Sequence, residues 1–252
     1  MNNGNQEEKK LNTTEQSKDK ENKRYNISKD INQFGNIILS PSKTFEYISE
    51  KPTWLLPLLL LIIISVLYVL ITFPSIIIPE KISSIMSNPS VQKLSEAQKA
   101  KYLSTSSILI RSLIGAVIST PIFLLLKTAI FYFAIIVSGY EIKFKKVFSL
   151  ITWASVVTSL GILIKTFLTL IKHTSEVYTS LAIFGVGMDH KSSIFVLLNN
   201  FEVFAIWNIF LIGLGVGSIT NMKKSKSVSI IVVLWLLWIL INTFVFSKFS
   251  GM

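Results

Sequence analysis

The sequence predicts an all-α, polytopic membrane protein with five transmembrane helices, its N-terminus cytoplasmic and its C-terminus outside. Three observations carry that expectation. From Trp54 to Phe73 runs an uncharged apolar stretch, WLLPLLLLIIISVLYVLITF, and about twenty residues at 1.5 Å each span the roughly 30 Å hydrocarbon core of a bilayer. Hydrophobic residues make up 50% of the 252-residue chain and charged residues only 15%, whereas a soluble domain carries about a quarter charged. Finally, the apolar runs that follow are separated by short segments in which lysines alternate between dense and sparse, the pattern that orients membrane proteins.

Composition excludes several classes. With no cysteine, disulfides, thiolate chemistry and cysteine-ligated zinc are out. The net charge of +11 would raise nucleic acid as a partner for a soluble protein. Here the lysines are assigned to loops at the membrane surface, and no nucleic-acid partner is expected.

Residues 1 to 30 are polar, mix both charge signs and hold almost no large apolar side chain, so a disordered cytoplasmic tail is expected there. The first apolar run exceeds the roughly 7–15 residues of a cleavable signal core, so it should persist as a signal anchor. From 31 to 52 two short amphipathic pieces are expected at the membrane surface. Ile31, Phe34, Ile37 and Ile38 share a helical face, Ser40-Pro41 breaks the run, and Ser40 or Ser42 can cap a second piece bearing Phe45, Tyr47 and Ile48. Trp54 stands as an interfacial anchor.

Beyond the first span, Pro74 and Pro79 end the helix, and the loop to 106 holds a helix-forming stretch, SVQKLSEAQKAKYL, after Asn88-Pro89. The run 107–138 contains Arg111, Pro121 and Lys127. Splitting it at Pro121 leaves two pieces too short to cross, so one long helix kinked at the proline is expected. The remaining spans fall at about 147–171, 201–219 and 228–246, with a helix-like SEVYTSLAIF in the loop 172–200. With five spans, fifteen of the 25 Lys and Arg residues fall on the N-terminal side and seven on the other; Arg111, Lys127 and Lys165 lie within spans. The short loops with Lys143, Lys145 and Lys146 and with Lys223, Lys224 and Lys226 mark the cytoplasmic face.

In this order and spacing, LSPSKTFEYISEKP ahead of the first span, the helical outer loop, the long second span, the GYEIKFKKVFSL turn and FEVFAIWNIFLIGLGVGSIT as the fourth span resemble the Yip (Ypt-interacting-protein) family of membrane proteins in its bacterial form. The resemblance covers residues from about 34 to 246 and implies five membrane helices. For eukaryotic members it implies vesicle trafficking through prenylated small GTPases; the acidic-aromatic-glycine-proline motif that they carry ahead of the first span is not present in this tail. For bacterial members it implies membrane location without an assigned biochemical activity.

Charged residues within spans are the first functional candidates. Arg111 and Lys165 lie near helix ends, where long basic side chains reach the interface. Lys127 lies deeper, and its ammonium needs a carbonyl, a lipid phosphate or a carboxylate. The nearest carboxylates are Glu141 at the inner turn and Glu202 at the outer start of span four, and Glu202 is expected at a different depth. Lys127, Arg111 and Glu202 are thus the candidate intramembrane polar or lipid contacts. Small residues form the second set: Gly213 and Gly217 in span four and Gly115 and Ser119 in span two, spaced so that another helix can approach. Intramolecular packing is the first reading for both pairs, a homodimer face the second.

Asp189, His190, His173 and Glu176 lack the spacing of a metal site. No Ser, His and Asp set or aspartate pair lies at membrane depth, so no catalytic, metal or cofactor residue is assigned. The reading is a non-enzymatic scaffold, adaptor or membrane-organising protein of the cell membrane. Its partners are the bilayer, with anionic lipid at the cytoplasmic face, and a membrane protein or a second copy. The alternative is a small permease or accessory transport subunit.

Overall fold

The computed structural model describes residues 28–73, 82, 86, 89–174, 176–190 and 192–246, with side chains of 245 and 246 left aside. Five helices among them are long and apolar enough to cross a membrane. Elements are numbered α1 (28–39), α2 (Pro41–Glu50), α3 (Leu55–Thr72), α4 (Glu96–Leu103), α5 (Thr105–Val137), α6 (Phe144–Ala154), α7 (Val156–Lys172), α8 (Ser193–Asn200), α9 (Val203–Thr220) and α10 (Lys224–Ile241). The spans are α3, α5, α6 with α7, α9 and α10. The described residues contain no strand; one antiparallel bridge joins Ser180 and Glu202.

The third span is the centre of the bundle. In its most apolar window 72% of residues are buried, against 11% for α5 and 22% for α3. Every residue from Val147 to Ala154 is buried, Ser149 and Thr152 included, so α6 is enclosed on all sides beyond the lysines of its first turn, Lys145 and Lys146. A break at Ser155, whose amide donates to the Ile151 carbonyl at 2.9 Å, separates α6 from α7, where one uninterrupted helix was expected. The second span runs 33 residues straight through Pro121, about 50 Å of helix against a core of roughly 30 Å, so its ends overhang. Pro121 has no N–H to offer the preceding turn.

The lead-in does not simply rest on lipid. Ile37, Phe45 and Ile48 are 0–1% exposed and join the central cluster with Leu150, Ile151 and Ile212. The Phe34 ring meets Trp153 at 4.9 Å. The Thr53 carbonyl accepts from Ser149 Oγ at 2.5 Å and Trp153 Nε1 at 2.9 Å, pinning the entry of α3 to α6. Across the Ser40 break, Tyr47 Oη donates to Asp30 Oδ1 at 2.6 Å. Burial first, and then that bond and charge, raise the Tyr47 hydroxyl above its ordinary pKa. Ser40 makes no side-chain cap; Pro41 starts α2, where its missing N–H costs nothing.

Outside the spans, Ser95 caps α4 in a capping box with Gln98. Where a helix was expected over SEVYTSLAIF, the described residues 176–184 form no α-helix, and an extended Ser180 leads into a 3-10 turn, Leu181–Gly185. The Leu181 amide bonds the Phe201 carbonyl at 3.1 Å, so pairing with the start of α9 competes with helix formation. Most of the tail expected to be disordered lies outside the described residues, and 28–30 are already helical. Asn221 caps α9 with φ 57°, a left-handed conformation that asparagine tolerates.

Phe45→Ala should cost about 3–5 kcal/mol and lower the thermal midpoint in detergent. Leu39→Ala, at a position 83% exposed, should stay within about 0.5 kcal/mol. Equal small shifts for both would mean that the lead-in lies on lipid rather than in the bundle.

Candidate functional site

Lys127 sits on α5 ten residues before Val137, and Asn208 on α9 twelve residues before Thr220, about 15 and 18 Å of helix from the same end of the bundle. Both are therefore near mid-depth, and they meet: Lys127 Nζ donates to Asn208 Oδ1. Asn208 is 1% exposed, and its Nδ2 has no hydrogen-bond partner. The amide oxygen thus does for the ammonium what water would do outside, and an unpaired charge in an apolar interior would cost far more. Asn208 was not singled out from the sequence, although an amide within FAIWNIFL is a visible polar interruption. Its relevance depends on a partner 81 residues away.

Glu202 lies elsewhere. Its Oε2 accepts from the Ala205 amide at 2.7 Å, capping α9, and its Oε1 accepts from Thr179 Oγ1 at 3.3 Å. A carboxylate at a helix N-terminus opposes the positive end of the helix dipole. Gly161 makes room for this, since a Cβ there would stand 3.3 Å from Glu202 Oε1 and 2.9 Å from the Phe204 ring. Arg111 donates to the Tyr102 carbonyl, and its guanidinium lies 3.9 Å from the Tyr102 ring centroid. It therefore clamps α4 to the start of α5. Lys165 is half-buried and lines a cleft of about 290 Å³ with Ser65, Tyr68, Val69, Ala116 and Ile162.

The two small-residue pairs behave differently. A Cβ on Gly213 would fall 2.8 Å from the Val228 Cα, and one on Gly217 2.8 Å from Ser227 Oγ. There α9 and α10 touch backbone to backbone. Gly215, between them in sequence, faces Leu150 and Phe45. Gly115 has nothing within 4 Å, and Ser119 is exposed; both line an open groove on α5 rather than a contact within the chain.

At the Lys127 end of the bundle, the turns 138–143 and 221–223 come together, with Lys226 Nζ 5.1 Å from the Tyr140 ring centroid. At the opposite end, His190 stacks on Phe195 at 4.7 Å, and its Nε2 is 3.4 Å from Tyr178 Oη. Glu176 Oε1 stands 3.9 Å from its Nδ1. No group of three or more His, Asp or Glu side chains able to hold a metal occurs among the described residues.

The Yip1 domain family matches residues 35–246, from the middle of α1 to the end of the last span. The chain belongs to the Yip1 domain family. It is similar to "Membrane protein YknW" of Bacillus subtilis (strain 168), 28% identical over 219 residues that cover 86% of this chain and 88% of that protein. No solved structure matches it. The domain thus takes in α2 and the end of α1 together with the five spans, in accord with their shared core, and this Yip1-family chain is a multi-pass membrane protein.

Asn208→Leu should destabilise the protein by about 1.5–3 kcal/mol, the range for a hydrogen bond to a charged group. Lys127→Leu combined with Asn208→Leu should recover much of that loss, as a double-mutant cycle on thermal unfolding would show. Strict additivity would mean that the two side chains are uncoupled. In the same assay Gly213→Ala should cost about 1–3 kcal/mol by forcing α9 from α10, while Gly115→Ala should be neutral or slightly stabilising through helix propensity.

Proposed function

We propose that this protein works without catalysis, as a scaffold or adaptor that presents a basic cytoplasmic face to anionic lipid or to a membrane-bound partner. The observation that carries the reading is the convergence of two lysine-bearing turns with the docked lead-in at one end of the bundle. Lys226 lies against Tyr140, and α2, which contacts α9 through Phe45 beside Gly215, adds Lys43, with Lys51 directly after its last residue. The same lysine density supports placing this end, and the N-terminus, in the cytoplasm and the C-terminus outside. Clustered lysines beside membrane helices attract anionic headgroups at about 1 kcal/mol each.

The fold supports a platform role in a further way. The lead-in shares a core with α6 and α9, so a partner bound there would be coupled mechanically to the spans.

Two measurements test this. A cysteine introduced at Ser225, in a chain with none of its own, should react with impermeant maleimide only from the cytoplasmic side; labelling of intact cells from outside would overturn the orientation. Replacing Lys223, Lys224 and Lys226 by Gln should weaken binding to vesicles containing phosphatidylglycerol and abolish crosslinked partners in native membranes. Unchanged binding and crosslinking would remove the basic face as the working surface.

A further inference from the structure

The lipid-facing side of α5 carries a groove of about 550 Å³ whose lining includes Ile114, Gly115, Ile118, Ser119, Ile122 and Leu126, with Arg111 at one end. We propose that it is a binding site for one anionic phospholipid, its acyl chain along the helix and its phosphate on Arg111. This site is at the opposite end of α5 from the basic face proposed above and does not depend on it.

The dimensions suit a chain. Arg111 to Leu126 is fifteen residues, about 22 Å of helix, which covers the depth of one leaflet of a roughly 30 Å core. The walls are side chains spaced three and four apart, and the floor is open because nothing lies within 4 Å of where a Gly115 Cβ would stand. A hydrocarbon chain suits such a space, whose lining is apolar apart from Ser119 and the terminal Arg111.

The charge selects the head. Arg111 uses an N–H on the Tyr102 carbonyl and lies over the Tyr102 ring. A guanidinium has five N–H donors, and among the described residues no carboxylate pairs with this one. The Tyr102 clamp holds the fork at the end of the groove, so little side-chain entropy remains to be lost on binding a phosphate.

The same charge argues against a second copy in the groove. Two chains meeting here about a twofold axis along the membrane normal would bring two Arg111 side chains to equal depth, and none of the groove residues is acidic. Like charges held at the same depth repel. A phosphate removes that penalty, whereas a twin helix doubles it.

The test is native mass spectrometry of the full chain released from detergent, titrated with phosphatidylglycerol or phosphatidylcholine of matched chain length. The wild type should retain one phosphatidylglycerol roughly tenfold more tightly than phosphatidylcholine. Arg111→Gln should erase the preference and Arg111→Lys should keep part of it. Gly115→Leu, which fills the floor at a position that touches nothing, should weaken both lipids and keeps the test available if Arg111→Gln unfolds. The Lys223, Lys224 and Lys226 variant should keep this retention, which separates failure of the basic face from failure of this site. Equal retention of the two lipids, indifference to Gly115→Leu, or competition by soluble glycerol 3-phosphate would each overturn the proposal. So would spontaneous disulfide dimers of Ser119→Cys in the bilayer, which would seat a second copy in the groove.

Discussion

Helix α9 is packed through glycines on two opposite sides, against the backbone of α10 on one and against side chains on the other, and the bundle depends on that constraint. Gly213 and Gly217 let α10 in on one side, while Gly215, two residues from each and so turned about 200° away, admits Leu150 of α6 and Phe45 of α2 on the other. Between apolar helices in lipid there is no hydrophobic drive to associate, so dispersion at close range and a few hydrogen bonds must hold them. Three glycines within five residues supply the first on both sides of one helix. Enclosure of α6, docking of the lead-in and the position of the inner turns all follow.

The polar groups within the spans have little freedom in such a medium. Thr152 bonds the Phe148 carbonyl a turn earlier and Thr128 that of Leu124, each at 2.7 Å. Lys127 cannot bond its own helix in that manner and reaches Asn208 on α9 instead. That contact joins the outermost long helix, α5, to the central glycine-bearing one. The cation is thus a cross-brace between spans, and mid-depth charge has a structural use here apart from any role in moving a solute.

The two ends of the bundle are built differently. The end that carries the turns 138–143 and 221–223 is closed: α1 and α2 fold back on α6 and α9, and Thr53 is gripped by Ser149 and Trp153. The opposite end is assembled from short pieces, α4, the 3-10 turn and α8, held by caps such as Ser95, Ser192 and Glu202. Arg111 ties α4 to α5 where the long helix overhangs, leaving a lipid-facing groove just below.

Span number, class and location were legible in the sequence because they depend on local quantities: the length of uncharged apolar runs, the charge content and the lysine count of each loop. The family resemblance rested on order and spacing, which a chain also displays openly. Partnership was not legible, since each contact joins residues far apart. Gly213 and Gly115 sit in similar small-residue patterns, yet one meets Val228 and the other meets nothing; only the relative rotation of whole helices decides between them. Phe45 and Ile48 show an amphipathic face that suits lipid or protein equally, and the turn at Ser40 with the grip on Thr53 sends it into the protein. The sequence by itself determined that five helices cross the bilayer, because transfer of apolar length into hydrocarbon is a sum over neighbours in the chain. Which faces touch, what Lys127 bonds and where a groove stays open were decided by tertiary packing, where close contact, and not hydrophobicity, distinguishes one helix face from another.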